Sequence, residues 1–312
     1  MIGDRFFIMP PTPKSATLRF RSECSLGCPR CDRKFPSGGF LTLENFKRFV
    51  DRSPGLTHIN IPSCSDTFLN PDFIKIVEWG LRERGLLFNA YDINLAQAGR
   101  EALDALAPAL GFLSVVSAGA TAETYAKARP GGDFERLIEN LAYIRQRTGA
   151  NVQWIYQITR NSCSLDEIAH AKELAKSKGL GLFFTKDNST WSPANPRELY
   201  AATGVLWQDA QMFEPYIGYS PKACAEGIAV PNIDWDGGIL GCQHSTKYKN
   251  FGGAALKLGA GKSMKTKPYR DIRHALMTGK AKCGSQCFDC WLYRKILWNG
   301  QWATREDFDG PA

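Results

Sequence analysis

The stretch "SECSLGCPRC" (Ser22–Cys31) carries three cysteines, Cys24, Cys28 and Cys31, in the spacing Cys-x3-Cys-x2-Cys. Thiolates separated by two or three residues can converge on one metal centre from a single loop. Gly27 and Pro29 let such a loop wrap around its metal. A closed structural zinc site takes four ligands, and no histidine or fourth cysteine follows before His58. Three thiolates therefore leave one corner of the centre open to a small molecule.

Outward from this loop, short apolar runs alternate with helical stretches. "ATLRFR" (Ala16–Arg21), "HINI" (His58–Ile61), "LFNAY" (Leu87–Tyr91), "FLSVVS" (Phe112–Ser117), "VQWIYQIT" (Val152–Thr159) and "GLFFT" (Gly181–Thr185) read as strands. The segments 42–52, 70–85, 133–149 and 164–179 read as helices with apolar stripes. Thr42 and Asn70 are the expected N-caps of the first two, and a terminal glycine closes the last two. This alternation predicts an α/β protein with a parallel sheet, either open or curled into a barrel, joined by right-handed crossovers. Near "WSPANPREL" (Trp191–Leu199) the pattern lapses, which marks a boundary between 1–195 and 196–312.

With 44% hydrophobic residues among 312, the chain can bury a substantial core. No run of about 18 apolar residues is present, so no membrane span is expected. The start "MIGDRFFIMPPTPKS" lacks the features of a signal peptide, and a cytosolic location is expected. Ten cysteines in a reducing compartment point to metal ligation more than to disulfides. Charge is concentrated: Ser245–Lys282 holds ten Lys or Arg against one acid, Asp271, more than the whole-chain net of +8. That predicts an anionic partner: a phosphorylated substrate, a nucleic acid or an acidic electron donor.

A Cys-x3-Cys-x2-Cys loop after the first strand of a βα series resembles the radical S-adenosylmethionine (radical SAM) superfamily. The resemblance implies a partial (β/α)6 TIM-like barrel whose three thiolates hold a [4Fe-4S] cluster with one open iron. That iron would chelate SAM, whose reductive cleavage gives a 5′-deoxyadenosyl radical that removes hydrogen from a substrate. "CSDTFLNPDF" (Cys64–Phe73) is similar to the family's "GGEPLLNP", which contacts the SAM amine; Ser65-Asp66-Thr67 stands where Gly-Glu-Pro is usual, so Asp66 takes the carboxylate's place. "SAGATAETYAKAR" (Ser117–Arg129) is similar to "SLDGATAETYEKIR", which implies Ser117 near the SAM ribose and Arg129 on its carboxylate. Asn161 matches a further SAM-binding position, and Arg30 replaces the usual aromatic beside the adenine.

A second set, "CAEGIAVPNIDWDGGILGC" (Cys224–Cys242), gives Cys-x12-Gly-x4-Cys, and "CGSQCFDC" adds Cys283, Cys287 and Cys290. These resemble the SPASM and twitch extensions, in which a β-hairpin plus helix carries an auxiliary cluster. Five cysteines suit the shorter twitch form with one auxiliary [4Fe-4S] cluster. The resemblance implies Cys224, Cys242, Cys287 and Cys290 as ligands, with Cys283 as a substitute. The order is similar to twitch dehydrogenases of the 2-deoxy-scyllo-inosamine type, which oxidise a secondary alcohol. A four-cysteine zinc site is the competing reading.

Two cysteines remain. Cys64 and Cys163 end the second and fifth strands and are candidate hydrogen donors to a substrate radical; small buried hydrophobes are the alternative. Tyr91, Asp92, Gln157, Arg160, Lys186 and Asp187 are candidate substrate contacts by strand-end position. "GAGKS" (Gly259–Ser263) is not a phosphate loop, because Leu256 occupies the position of its first glycine.

The expected function is hydrogen abstraction from a polar, phosphate-bearing substrate, a nucleotide or nucleic-acid base, fed by a flavodoxin- or ferredoxin-like donor. Oxidation or rearrangement, assisted by the auxiliary cluster, would follow. Alternatives are a dehydrogenase or epimerase of a sugar or aminocyclitol, a peptide maturase, and a zinc-stabilised nucleic-acid-binding module.

Overall fold

In the computed structural model, which describes residues 12–29, 31, 38–63, 65–186, 193–205, 230–240, 254–278, 280–283, 297–298 and 301–302, all six expected strands are present. They are β1 (Ser15–Leu18), β2 (His58–Ile61), β3 (Leu87–Ala90), β4 (Leu110–Ser117), β5 (Asn151–Ile158) and β6 (Gly181–Lys186). β2 to β6 are neighbours in the order β6-β5-β4-β3-β2, and β7 (Asn232–Ile233) lies beside β1. The pairs from β2 to β6 are all parallel, with His58 opposite Leu87, Phe112 opposite Asn151 and Gln153 opposite Gly181. The α/β class follows directly from that ladder.

The chain divides into two compact units, one of residues 18–43 and 57–207, the other of 1–17, 44–56 and 208–312. In the first, the connections are α2 (Phe73–Arg84), α3 (Arg100–Leu106), α4 (Ala122–Ala128), α5 (Phe134–Arg145) and α6 (Leu165–Lys178), followed by α7 (Pro196–Thr203). The strands bury one face beneath these helices: Val152, Trp154, Tyr156 and Ile158 are buried, and the alternate Gln153, Ile155 and Gln157 are half-buried. On the same half-buried face lie the register partners Asn60 and Asn89, whose amides are hydrogen-bonded at 3.0 Å. One side of the sheet is thus a dry core and the other a partly polar surface.

Local chemistry explains most helix ends. Ser164 accepts the Glu167 N–H and Gly179 ends α6 in the left-handed conformation, as expected from sequence. Asp133 caps α5 by accepting the Arg136 N–H, but this helix stops at Arg145, before Gly149. Asn70 is not the direct cap of α2, which begins three residues later; it forms an Asx turn by accepting the Asp72 N–H at 2.8 Å. The helices α3, α4 and α7 have no counterpart among the helices expected from sequence, and α7 occupies the stretch where the alternation lapses.

The second unit contains most of α1 (Leu43–Asp51), together with β7, α8 (Ala255–Ser263) and α9 (Lys267–Thr278). β7 opens a tight hairpin: Leu240 N–H donates to Asn232 O at 2.8 Å and Asp234 N–H to Gly238 O at 2.7 Å. Gly237 sits at φ 89°, and a Cβ there would come within 2.5 Å of Leu256 Cγ, so the turn admits glycine alone. This is the glycine of the second cysteine pattern. Fully buried Tyr269 holds the start of this hairpin, its hydroxyl accepting the Asn232 N–H at 2.7 Å. The short strands β8 (Leu297–Trp298) and β9 (Gln301–Trp302) pair antiparallel. No helix among the described residues is long and apolar enough to cross a membrane.

Candidate active site

The cysteine loop leaves β1 through a pinched neck. Ser22 N–H donates to Gly39 O at 3.0 Å, Leu41 N–H donates to Phe20 O at 2.9 Å, and Arg21 bridges Phe40 antiparallel. Buried Asn70 braces the neck, its Nδ2 donating to Phe20 O at 2.8 Å and to Leu41 O at 2.9 Å. Both ends of the loop are therefore fixed to one point of the sheet edge.

Three other segments meet the loop. Asp66, after β2, accepts the Ser25 N–H on Oδ2 at 2.6 Å, and its own N–H donates to Glu23 O at 2.9 Å. Its Oδ1 accepts from Asn94 Nδ2 at 3.1 Å and lies 3.9 Å from Cys24 Sγ. Gly27 N–H donates to Pro130 O at 2.8 Å, which ties the loop to the residue after Arg129. Gln97 Nε2, after β3, donates to Ser25 Oγ at 3.3 Å.

The charges agree with this convergence. Burial of the sulfur pushes the Cys24 thiol up to about 11, and the Asp66 carboxylate and the charges of Cys28 and Cys31 add to it, against a hydrogen bond from the Leu26 backbone. Burial raises the Cys28 thiol too, with Cys31 adding, while the Arg129 guanidinium pulls it down. Arg129 thus stands within electrostatic reach of the loop, and it also hydrogen-bonds Tyr125. All three thiols are free, and two of the residues, Cys24 and Cys31, are exposed.

The turn after β4 is rigid. Ser117, fully buried, donates to Gly119 O at 2.9 Å and accepts from Trp154 Nε1 at 2.8 Å. A Cβ on Gly119 would come within 2.4 Å of Thr124 Oγ1, so this close approach needs glycine. Thr121 and Thr124 form a reciprocal capping box for α4, and Glu167 Oε1 accepts both the Ala120 N–H and the Thr124 hydroxyl. Asn161 is exposed in the turn after β5 and is not hydrogen-bonded to Cys24, Asp66, Ser117 or Arg129. Cys163 is half-buried, with its thiol donating to Arg160 O at 3.5 Å, and burial raises its pKa. At the end of β3, Tyr91 is 41% exposed and rests on Phe112 with ring centroids 5.3 Å apart. Asp92 takes φ 54°, its N–H donating to Ser114 Oγ while Ser114 donates back to its carboxylate.

The fold as a whole has counterparts among solved structures. No family model matches the sequence, and no curated protein matches it. Among solved structures, SuiB of Streptococcus suis bound to the precursor peptide SuiA is similar at TM-score 0.65 and 12% identity, covering 98% of this chain and 78% of that one. SuiB bound to S-adenosylmethionine gives TM-score 0.61 at 13% identity, with 90% and 71% covered. The structure of anSMEcpe with bound AdoMet and Cp18Cys peptide gives TM-score 0.56 at 14% identity, with 90% and 87% covered. The chain has the fold of the radical SAM enzymes.

For a radical SAM fold the donor set is the first question. Among the described residues, no three His, Cys, Asp or Glu side chains converge as the ligands of a single metal ion do. The three thiols nonetheless share one loop and feel one another's charge. A multi-iron cluster, in which each thiolate takes a different iron, does not need its ligands to converge on one ion, and a cationic core would offset the thiolates' mutual repulsion, which adds to the burial that raises Cys24. The residues present fit such a group. Cys64, Arg30, Asp187 and the four expected auxiliary ligands, Cys224, Cys242, Cys287 and Cys290, lie outside the described residues; Cys283 is described and exposed. Sequence reasoning missed Asn70, Asn94 and Glu167, whose side chains hold the loops in place. Only Asn70 carried a signal, as the residue before Pro71, and it read as a helix cap.

Proposed function

We propose that this chain is a radical SAM enzyme in which Cys24, Cys28 and Cys31 hold a [4Fe-4S] cluster and SAM. The observation that carries the reading is the free three-thiol loop, fixed at its neck to the sheet edge and flanked by the Arg129 guanidinium. When bound, the cluster supplies the electron that splits SAM into methionine and a 5′-deoxyadenosyl radical able to take hydrogen from a substrate. Arg129 provides the positive charge suited to the SAM carboxylate. Ser117 and Gly119 set the shape of the adjoining turn, and Asn161 lies at the same strand edge. The half-buried amides Asn60, Asn89, Gln153 and Gln157 give the open face of the sheet a polar lining, which favours a polar substrate.

The phosphate-bearing substrate class, a nucleotide or nucleic-acid base, rests on exposed Lys257, Lys262, Lys265 and Arg270 on and between α8 and α9, with Lys280 and Lys282 beyond. Arg273 does not add to that surface: it is buried, donates to Met264 O at 2.9 Å, and burial lowers its pKa. The same surface charges suit an acidic flavodoxin- or ferredoxin-like donor. A peptide substrate is the second reading, favoured by the peptides named with SuiB and anSMEcpe. The hairpin around Gly237 supports a twitch extension with one auxiliary cluster on Cys224, Cys242, Cys287 and Cys290, serving oxidation of the substrate radical.

Anaerobic reconstitution tests these assignments together. The full reading expects about eight irons per chain, falling by half when Cys24, Cys28 and Cys31 are all replaced by Ala. Zinc without sulfide would instead support a zinc-stabilised binding module. Turnover with SAM, dithionite and deuterated nucleotides, peptides or aminocyclitols identifies the substrate by label in 5′-deoxyadenosine. Binding of RNA or DNA that does not weaken with salt would remove the nucleic-acid reading.

A further inference from the structure

We infer that Asp66 is a positioning residue that fixes the Cys24 segment for the cluster and does not serve as the ligand of the SAM amine. The inference rests on the proposed cluster site and goes further, because it gives the departure from Gly-Glu-Pro a physical role. Asp66 is 1% exposed, and its groups bracket one cysteine. Its N–H holds Glu23 O at 2.9 Å on one side of Cys24, and its Oδ2 holds Ser25 N–H at 2.6 Å on the other. Oδ1 is held in turn by Asn94 Nδ2 at 3.1 Å, and Asn94 is itself buried. A hydrogen bond from a backbone N–H to a carboxylate is about twice as strong as a neutral one. The two contacts therefore fix the backbone on either side of a single thiolate.

The side-chain length matters. Aspartate reaches a backbone N–H only two residues from its other anchor, and the short arm leaves little play. A carboxylate aimed at a bound amine would point away from the loop; this one is spent on it. Asn94 is the natural partner of such a clamp, since its Nδ2 fixes the orientation of the carboxylate. Its Oδ1 is buried with no hydrogen-bond partner among the described residues, as are Ser65 Oγ and Thr67 Oγ1 beside Asp66. These neighbours, and not the carboxylate, are the polar groups left for other partners.

The test uses the full chain, reconstituted anaerobically with iron and sulfide, as wild type, Asp66→Ala, Asp66→Asn and Asn94→Ala. Three quantities are read: iron and sulfide per chain, the EPR spectrum of the dithionite-reduced protein, and the SAM dissociation constant per loaded cluster. Thermal melts report the fold. Residues that orient metal ligands typically cost about 10–100-fold in metal affinity when removed. Asp66→Ala is expected to lose at least that order of cluster affinity with an unchanged melt, whereas Asp66→Asn, which keeps an oxygen for Ser25, is expected to load with a shifted EPR spectrum. Clusters that do form should bind SAM within about twofold of wild type, because the amine contacts are elsewhere. Full loading and an unchanged spectrum in both Asp66 variants would overturn the inference. So would normal loading with roughly tenfold weaker SAM binding. Should Asp66→Ala melt early, Asn94→Ala decides: weaker loading supports the clamp, and unchanged loading sinks it. Wild-type protein that takes up no iron and sulfide fails the cluster reading itself, and the clamp with it; wild type that loads beside variants that load equally fails only the clamp.

Discussion

Glu167 Oε1 accepts the backbone N–H of Ala120 at 2.7 Å, joining the first turn of α6 to the turn after β4 across 47 residues. The same oxygen takes the Thr124 hydroxyl, so one carboxylate secures both the Gly119 turn and the start of α4. Ala120 is buried, and its N–H has no water to fall back on. Glu167→Ala is expected to destabilise the protein by about 2 kcal/mol, and Glu167→Gln, which keeps an acceptor, by less than half as much. Urea midpoints at constant m-value check this; equal effects of the two variants would show that the acceptor is not what matters.

Asn70 makes a second measurable case. Its amide satisfies two carbonyls at the neck of the cysteine loop from a buried position. Asn70→Ala strands Phe20 O and Leu41 O and is expected to cost about 2–3 kcal/mol. Asn70→Asp should be worse at neutral pH, since a carboxylate has no hydrogen to give and would face two carbonyl oxygens. Acid should narrow that gap, because a protonated Asp regains one donor. A smaller loss for Asp than for Ala at pH 7 would contradict the assignment.

Asp72 gives a pH prediction. Its Oδ2 accepts the Leu43 N–H at 3.0 Å, capping α1 from outside the helix. That hydrogen bond, opposed in part by burial and aided by Lys75, holds its carboxyl below the ordinary range. A carboxylate with a lowered folded pKa stabilises fully above its unfolded pKa and loses that contribution as pH falls through the folded value. Asp72→Ala is therefore expected to cost about 1 kcal/mol at pH 7, with the difference from wild type narrowing as pH falls below the ordinary carboxylate range. A difference independent of pH would show that charge plays no part.

The strained backbone at Asp92 predicts an asymmetry. A non-glycine residue at φ 54° carries a cost that its exchange of hydrogen bonds with Ser114 offsets. Ser114→Ala removes both bonds and is expected to cost about 1–3 kcal/mol. Asp92→Asn should be nearly neutral, since asparagine tolerates this conformation and keeps an acceptor. Asp92→Ala should cost more than Asn, by roughly 1 kcal/mol, and thermal melts of the set would check the order.

How much of this was readable beforehand depends on range. The strands were legible because their apolar alternation is local: Val152, Trp154, Tyr156 and Ile158 declare a buried face by themselves. The capped helix α6 was legible for the same reason, with Ser164 and Gly179 at its ends. The helix α4 was not, because only Tyr125 of its seven residues is buried and its capping box continues through Glu167, far along the chain. At the site, the thiols announced themselves by spacing, whereas Asn94 acts across 28 residues and leaves no local trace, and Asn70, which acts across 50, showed locally only as a helix cap before Pro71. Asp66 was legible as a carboxylate in the right segment; its hold on Ser25 was not, since nothing in sequence fixes which way a side chain points.

The pinched neck between Phe20–Ser22 and Gly39–Leu41 has a consequence for assembly. Its backbone bonds and the Asn70 brace involve no cysteine, so the scaffold closes without any inorganic partner. Under the proposed function, loading would be a late event on a finished framework, confined to a loop that can accept or surrender its cargo while the strands stay paired. Stripping iron with a chelator should leave the far-ultraviolet spectrum intact, unlike a zinc finger, whose chain unravels when its ion departs.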